Sequence, residues 1–457
     1  MRTLNARSIC LVLSLAALAA PPAEAGRRDL GRETLPAGDG WASEGAGTTG
    51  GSAAAPEQVY VVTNRRELVA ALNDGVYPPP SSTPSNAPKI IYVDGTIDAN
   101  VDDDHRPLTC VDYYRNDFTI EKFLEAYDPA TWGRVRPTGP MEQARLASQA
   151  AQQARVRIRV GSNTTIVGLG RKATVRGAWL DIRRHSTAGG NPTNIIIRNL
   201  NFLDTYDCFP QWSPTDGALG SWNAEYDSVS LRQANHVWID HNRFEDVETA
   251  DDTLPTYFGV TFQVHDGLLD ITNESDLVTV SWNEFKNHDK VMLIGSSDNP
   301  NPPDRGKLRV TLHHNLWEDL GQRTPRVRFG QVHVYNNLYR LPDVDDYGYS
   351  LGVGIESAIY AENNLFEAPR EITPDQVIER FNGTAIHATG TLWLTGWRLR
   401  QVDLVAAYNA VNDPDLGTDV GWVPTLFRRV DHTLHAAALV RAFAGPFSWG
   451  HHHGPGR

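Results

Sequence analysis

Cysteine and methionine are scarce, at three each in 457 residues. So few thiols leave no Cys/His frame for zinc and no densely stapled small domain. There is no Gly-rich phosphate-binding loop and no Ser/His/Asp arrangement suited to nucleophilic catalysis. Long apolar runs are also missing. The longest, Ile9 to Ala20, spans about 12 residues where a bilayer-crossing helix needs roughly 20, so no membrane association is expected. Basic residues are outnumbered 42 to 55, for a formal net charge of −13. A general nucleic-acid binder needs a basic face, so nucleic acid is not an expected partner. Were the partner a polyanion, a divalent cation would have to bridge like charges.

What is present is a chain able to bury a large core, with 40% hydrophobic and 21% charged residues. Its first 25 residues have the form of a secretory signal. Arg2 and Arg7 supply the positive start, and Ala23-Glu24-Ala25 a small-residue cleavage site. Export would remove Cys10 and leave Cys110 and Cys208, an even pair that suggests one disulfide in an oxidising compartment. Two separate buried thiols are the alternative. Residues 26–56 are rich in Gly, Ala and Ser and predict an extended lead-in. From 57 to 457 a single domain is expected, with short β-like runs first and a helical insertion at about 119–156. Pro140 opens that insertion's best run of helix formers.

After residue 156 a pattern sets in. Short β-branched runs end in Asn followed by a large apolar residue: VWIDHNRF (237–244), VTVSWNEF (278–285), VTLHHNLW (310–317), VHVYNNLY (332–339) and IYAENNLF (359–366). A looser version, IIIRNLNF, fills 195–202. The aligned residues are Asn242, Asn283, Asn315, Asn337 and Asn364, at intervals of 41, 32, 22 and 27. The shortest interval measures one bare repeat, and the longer ones carry loops. This predicts an all-β parallel solenoid whose asparagines stack up a column, each satisfying the next.

Two groups of charged residues stand out. Asp266 and Asp270 lie four apart in VHDGLLDI, and Asp227 closes WNAEYD. Facing carboxylates repel, so a hard cation is their natural partner. On spacing alone, solvated aspartates would serve as well. Opposite in sign is GQRTPRVRFG (321–330), where Arg326 and Arg328 would share a strand face and Arg323 precedes the bend at Pro325. Lys290 adds a cation about one coil earlier. Guanidinium groups suit carboxylates. His313 and His314, as neighbours on a strand, should point to opposite faces and so form no pair. Trp212 and Trp222 are expected to pack internally rather than stack on sugar.

The motifs NTTIVGLG (163–170), FPQW (209–212), WNAEYD (222–227), HDGLLDI (265–271), NHDK (287–290), GSSD (295–298) and RTPRVRFGQVHVYNNLY (323–339) occur in this order, and together they resemble the polysaccharide lyase family 1 pectate lyases. The resemblance runs from about Asp29 to beyond Phe366 and excludes the C-terminal end with His451–His453. It implies a right-handed parallel β-helix and a secreted, monomeric enzyme acting on polygalacturonate. It also implies a Ca2+ site from Asp227, Asp266 and Asp270, with Arg323 as base and Lys290 and Arg328 holding the uronate carboxylate. Glu225, two positions before Asp227, would be an additional metal contact.

The implied chemistry is β-elimination. Removing the C5 proton of galacturonate doubles the charge on its carboxylate, and cations at that group would stabilise it. An arginine base is demanding, since a free guanidinium with a pKa near ~13.8 costs about 6–7 kcal/mol to neutralise at pH ~9. Two other functions would fit a similar chain: a pectin lyase acting on esterified polymer without metal, and a non-catalytic polysaccharide-binding β-helix. The first has little use for three aspartates, and the second would be free to lose Arg323.

Overall fold

The structure, a computed structural model, describes residues 29–184, 190–299 and 303–449. The expected export segment 1–25 and His451–His453 lie outside these. The body is a right-handed parallel β-helix of three long sheets, two of ten strands and one of eight. One full coil runs through Val229–Arg232, Asn235–Asp240 and Arg243–Glu245, each in a different sheet. Each strand pairs in parallel with its counterpart in the next coil. Alternate side chains of each strand point inward, and the interior is a continuous column of Val, Ile, Leu and aromatic residues.

The corner between the second and third strands of each coil explains the repeat. Asn242 Nδ2 donates to Asn283 Oδ1 at 3.0 Å, and Asn283, Asn315 and Asn337 each donate to the next asparagine at 3.1 Å. In the looser repeat Leu200 takes this position, and its backbone N–H donates to Asn242 Oδ1 at 3.1 Å. The ladder satisfies amides that would be costly to bury singly. The residue before each rung is left-handed: His241, Trp282, His314, Asn336 and Asn363 have φ of 52°, 57°, 55°, 56° and 52°. Inside the same corner an aromatic stack rises through Phe202, Phe244, Phe285, Trp317, Tyr339 and Phe366.

That left-handed corner overturns one expectation. His313 and His314 do not point to opposite faces; their Nδ1 atoms lie 3.0 Å apart. Strand alternation holds only while φ stays extended, and His314 has left the strand conformation.

Among its described residues the lead-in has no strand or α-helix, only 3₁₀ turns such as Trp41–Ser43. It lies against the outer face of one ten-stranded sheet. Trp41 N–H donates to Thr311 Oγ1 at 3.0 Å, Ala42 N–H to Thr279 Oγ1 at 3.1 Å and Gly51 N–H to Thr165 Oγ1 at 2.8 Å. A Cβ on Gly51 would come within 1.8 Å of the Lys89 carbonyl, so only glycine lets the strap lie this close. The helical excursion consists of Ile120–Ala126, Pro129–Trp132 and Pro140–Val156, the last leading straight into the strand Arg157–Arg159. Beneath it, Phe123, Phe209, Trp212 and Trp222 form a separate aromatic core, so both tryptophans are packed away from solvent. Cys110 and Cys208 form a disulfide across 98 residues at a Cα–Cα distance of 5.4 Å, tying this excursion to the body.

At the end of the strand Asn235–Asp240, Asp240 is buried and accepts from Arg198 Nη2, His241 Nδ1 and Ser281 Oγ, each at 2.8 Å. Burial alone would raise its pKa, but the His241 and Arg198 charges outweigh it and hold the carboxyl at about 2. Because the folded value lies below the unfolded one, near ~3.9, this group stabilises the fold above pH ~4 and ceases to as pH falls toward 2. Asp240→Asn is expected to lower stability at neutral pH and to flatten the acid limb between pH ~4 and ~2, measured by denaturant titration at each pH.

Candidate active site

The eight-stranded sheet brings the two charged groups of the sequence to one outer face. Ser230 pairs laterally with Asp270, Ile271 with Ile294, and Leu293 with Arg326. The residues at +1, Leu231, Ile271, Ile294 and Val327, enter the core, so Ser230, Asp270 and Arg326 face outward. Three residues earlier in the same coils stand Asp227, Gly267 and Lys290, with Arg323 one residue past the lateral partner of Lys290. A linear separation of 96 residues from Asp227 to Arg323 thus shrinks to three strand steps, each ~4.8 Å.

Gly267 is the hinge of the acidic half. Its N–H donates to Asp227 Oδ1 at 2.9 Å, and a Cβ there would lie 2.6 Å from Asp270 Oδ1 and 3.0 Å from Asp227 Oδ1. Asp227 is further held by the Ser230 hydroxyl, which in turn accepts from Trp179 Nε1 at 2.7 Å. Asp270 Oδ1 accepts from Leu293 N–H at 2.9 Å. Asp266 completes the group with its carboxylate free of protein donors among the described residues. Burial and then the neighbouring carboxylates raise the pKa of Asp227 well above the usual range. Burial and Asp266 push Asp270 up to about 7. Asp266 is also raised by burial, against the pull of Lys290 and Arg323. Full ionisation of the three is therefore disfavoured by the protein alone, whose nearby cations compensate it only in part. Among the described residues they are not drawn into a ready-made metal cluster.

The basic half follows directly. Lys290 pairs laterally with Gln322, which places Arg323 just beyond it, and Arg323 C=O accepts from Met292 N–H at 2.9 Å. Arg323 has a left-handed φ of 63° and leaves Nε buried without an acceptor. Such a backbone state costs of order 1–3 kcal/mol in a non-glycine residue and tends to mark functional positions. Arg328 Nε donates to Asp298, and its Nη1 to Gly295 C=O at 2.9 Å. Arg326 shares the face with Arg328 as expected but lies over the Phe381 ring at 3.7 Å, so it is floor rather than free cation. Glu225 stands apart. It is exposed and accepts from Gln153 Nε2 of the long helix at 3.4 Å.

Residues 138–399 match the family model for pectate lyase. The chain is 42% identical over 427 residues to a pectate lyase of Bacillus subtilis, covering 93% of this chain and 95% of that one. The chain belongs to the pectate lyase family. Pectate lyase E of Dickeya dadantii is 35% identical over 79% of this chain and 76% of its own. Among solved structures, a thermostable pectate lyase superposes with a TM-score of 0.87 at 46% identity, covering 93% of this chain and all of that one. A pectate lyase bound to a hexasaccharide does so with a TM-score of 0.84 at 41% identity and the same coverage. Membership makes this a polysaccharide lyase on a parallel β-helix.

Two supports of the site were not evident in the sequence. His288 lies buried beneath Asp266, with Nε2 at 2.8 Å from the Asp266 carbonyl and Nδ1 at 2.6 Å from Asp246 Oδ2. Burial works against its charge, but Asp246 prevails and pushes the imidazole up to about 9. Ser230 and Trp179, which fix Asp227, form the second. The NHDK motif signalled His288 only as a neighbour of Lys290, and nothing local linked Trp179 to Asp227.

Proposed function

We propose that this protein is a secreted, calcium-assisted pectate lyase that cleaves α-1,4-linked polygalacturonate by β-elimination, leaving 4,5-unsaturated non-reducing ends. The observation that carries this is the meeting of three under-compensated aspartates with Lys290, Arg323 and Arg328 on one outward face. Asp227, Asp266 and Asp270 offer hard oxygen donors of the kind Ca2+ prefers, and they would hold it. Glu225 would have to leave Gln153 to contribute a further contact. When bound, Ca2+ would supply positive charge that acidifies the C5 proton and offsets the surrounding carboxylates.

The side chains do the rest. Lys290 and Arg328 hold the uronate carboxylate where charge grows as C5–H breaks. Asp298 and the Gly295 carbonyl aim the Arg328 guanidinium. Arg323 takes the C5 proton, and the electron pair then expels O4. The position of Arg323 at a left-handed turn sets where the side chain leaves the backbone, and placement of a base matters to rate. Elimination needs no acid–base carboxylate pair of the kind a glycoside hydrolase uses. The disulfide and the N-terminal charge pattern support an exported protein, and an outward-facing site suits a monomer working along a polymer.

The test is ultraviolet absorbance of the unsaturated product, on polygalacturonate and on highly methyl-esterified pectin. Absorbance should rise on the first and barely on the second, because the ester masks the charge these cations hold. Equal or faster release from esterified pectin would replace this reading by pectin lyase. Gly267→Ala should push Asp227 and Asp270 apart, lowering calcium affinity about tenfold or more by titration calorimetry, with an unchanged circular dichroism spectrum.

A further inference from the structure

The three aspartates of the site are not held in the same way. Asp227 accepts from the Gly267 N–H and the Ser230 hydroxyl, and Asp270 accepts from the Leu293 N–H. The Asp266 carboxylate has no protein donor among the described residues, so its placement has to come through its backbone. That backbone is gripped from two sides by buried side chains that the proposed reaction does not use.

On one side is His265, the preceding residue. Its Nδ1 lies 2.8 Å from the Thr205 carbonyl oxygen, and its Nε2 lies 2.7 Å from that of Thr249. On the other side is His288, whose Nε2 lies 2.8 Å from the Asp266 carbonyl oxygen and 3.2 Å from that of Lys290. A carbonyl oxygen only accepts, so each of these ring nitrogens donates. His288 Nδ1 lies 2.6 Å from Asp246 Oδ2, and His265 Nδ1 lies 3.5 Å from Asp246 Oδ1. One buried carboxylate thus stands between two buried imidazoles whose ring centres are 5.9 Å apart. Asp246 follows the strand Arg243–Glu245 and His288 lies in Glu284–Lys290, so the set ties two coils to the turn that carries Asp266. Stability alone does not explain it, because apolar residues of similar volume commonly serve a core as well as a buried ionic set does.

We propose that Asp246, His265 and His288 are positioning residues that place Asp266 for calcium through its backbone. This rests on the calcium reading above. Donors on the Asp266 carboxylate itself would occupy lone pairs that a hard cation needs. Holding the peptide on both sides fixes the carboxylate and leaves both its oxygens open. His288 also reaches the Lys290 carbonyl, so one ring sets the spacing between the acidic and basic halves of the site.

The experiment is calcium titration calorimetry without substrate on His288→Asn and His288→Gln, after circular dichroism and Tm establish folding. Asn stands in for Nδ1 and keeps the bond to Asp246, whereas Gln stands in for Nε2 and keeps the bond to Asp266. His288→Asn should weaken calcium binding about tenfold or more, and His288→Gln should stay within about threefold of wild type. In an Asp266→Ala background, which lacks the ligand being placed, His288→Asn should change calcium affinity by less than about twofold. On polygalacturonate, kcat of His288→Asn should return to within about threefold of wild type at saturating calcium. Equal losses for Asn and Gln, no loss for Asn, the same loss in Asp266→Ala, or a kcat that saturating calcium does not restore would each overturn the proposal. If His288→Asn does not fold, Asp246→Asn decides by the same cycle. A loss that vanishes in Asp266→Ala then supports the placement, and no loss or an equal one refutes it. A wild type that takes up no calcium would end the calcium reading itself, and the placement with it.

Discussion

Replacing Arg323 by lysine is expected to lower kcat on polygalacturonate by about 10²–10⁴-fold while leaving the fold and calcium affinity intact. That range is what a positioned base contributes. Arg323 stands where the chain turns left-handed after the strand Leu316–Gln322, so its guanidinium reaches the corner beside Lys290 from a fixed direction. Lysine keeps the charge but ends in a flexible point ammonium without the planar fork, so the proton acceptor is lost from its place. Substrate binding should suffer less, because Lys290 and Arg328 still hold the carboxylate. Steady-state kinetics would show the fall in kcat with KM within a few fold. Activity within tenfold of wild type would remove Arg323 as the base.

Chelation should abolish activity on polygalacturonate, and added calcium should restore it. Burial, and then the charge of Asp266, already push Asp270 up to about 7. A substrate carboxylate adds another negative charge, at roughly 4 kcal/mol per unit pair 4 Å apart for an effective dielectric of 20. A divalent cation turns that repulsion into attraction for binding and for the C5 carbanion together, so its loss is felt twice. Asp266→Ala and Asp270→Ala should each reproduce the effect of chelator, with the β-helix retained because neither side chain enters the core. Full activity in excess chelator would end the calcium assignment.

Much of this was legible in the chain itself. Five Asn-x-apolar repeats determined the coil, since a buried amide column tolerates only residues that satisfy each other, and the ladder from Asn242 to Asn364 follows them. The charged residues of the site could also be singled out, because three aspartates and a dense arginine run are costly on an acidic protein without a purpose. What the linear order did not contain was which residues lie above one another. Loop insertions make the intervals unequal, and only the lateral pairing of strands brings Asp227, Gly267, Lys290 and Arg323 to neighbouring positions of successive coils. The same pairing turned Arg326 onto Phe381 and aimed Arg328 between Asp298 and Gly295. The left-handed corner that joined His313 to His314 was equally hidden, because it depends on a backbone angle set by the next coil's asparagine. Composition and spacing decide which side chains can be buried or must find a counter-charge. The partner each one finds is decided by the stacking of coils distant in sequence.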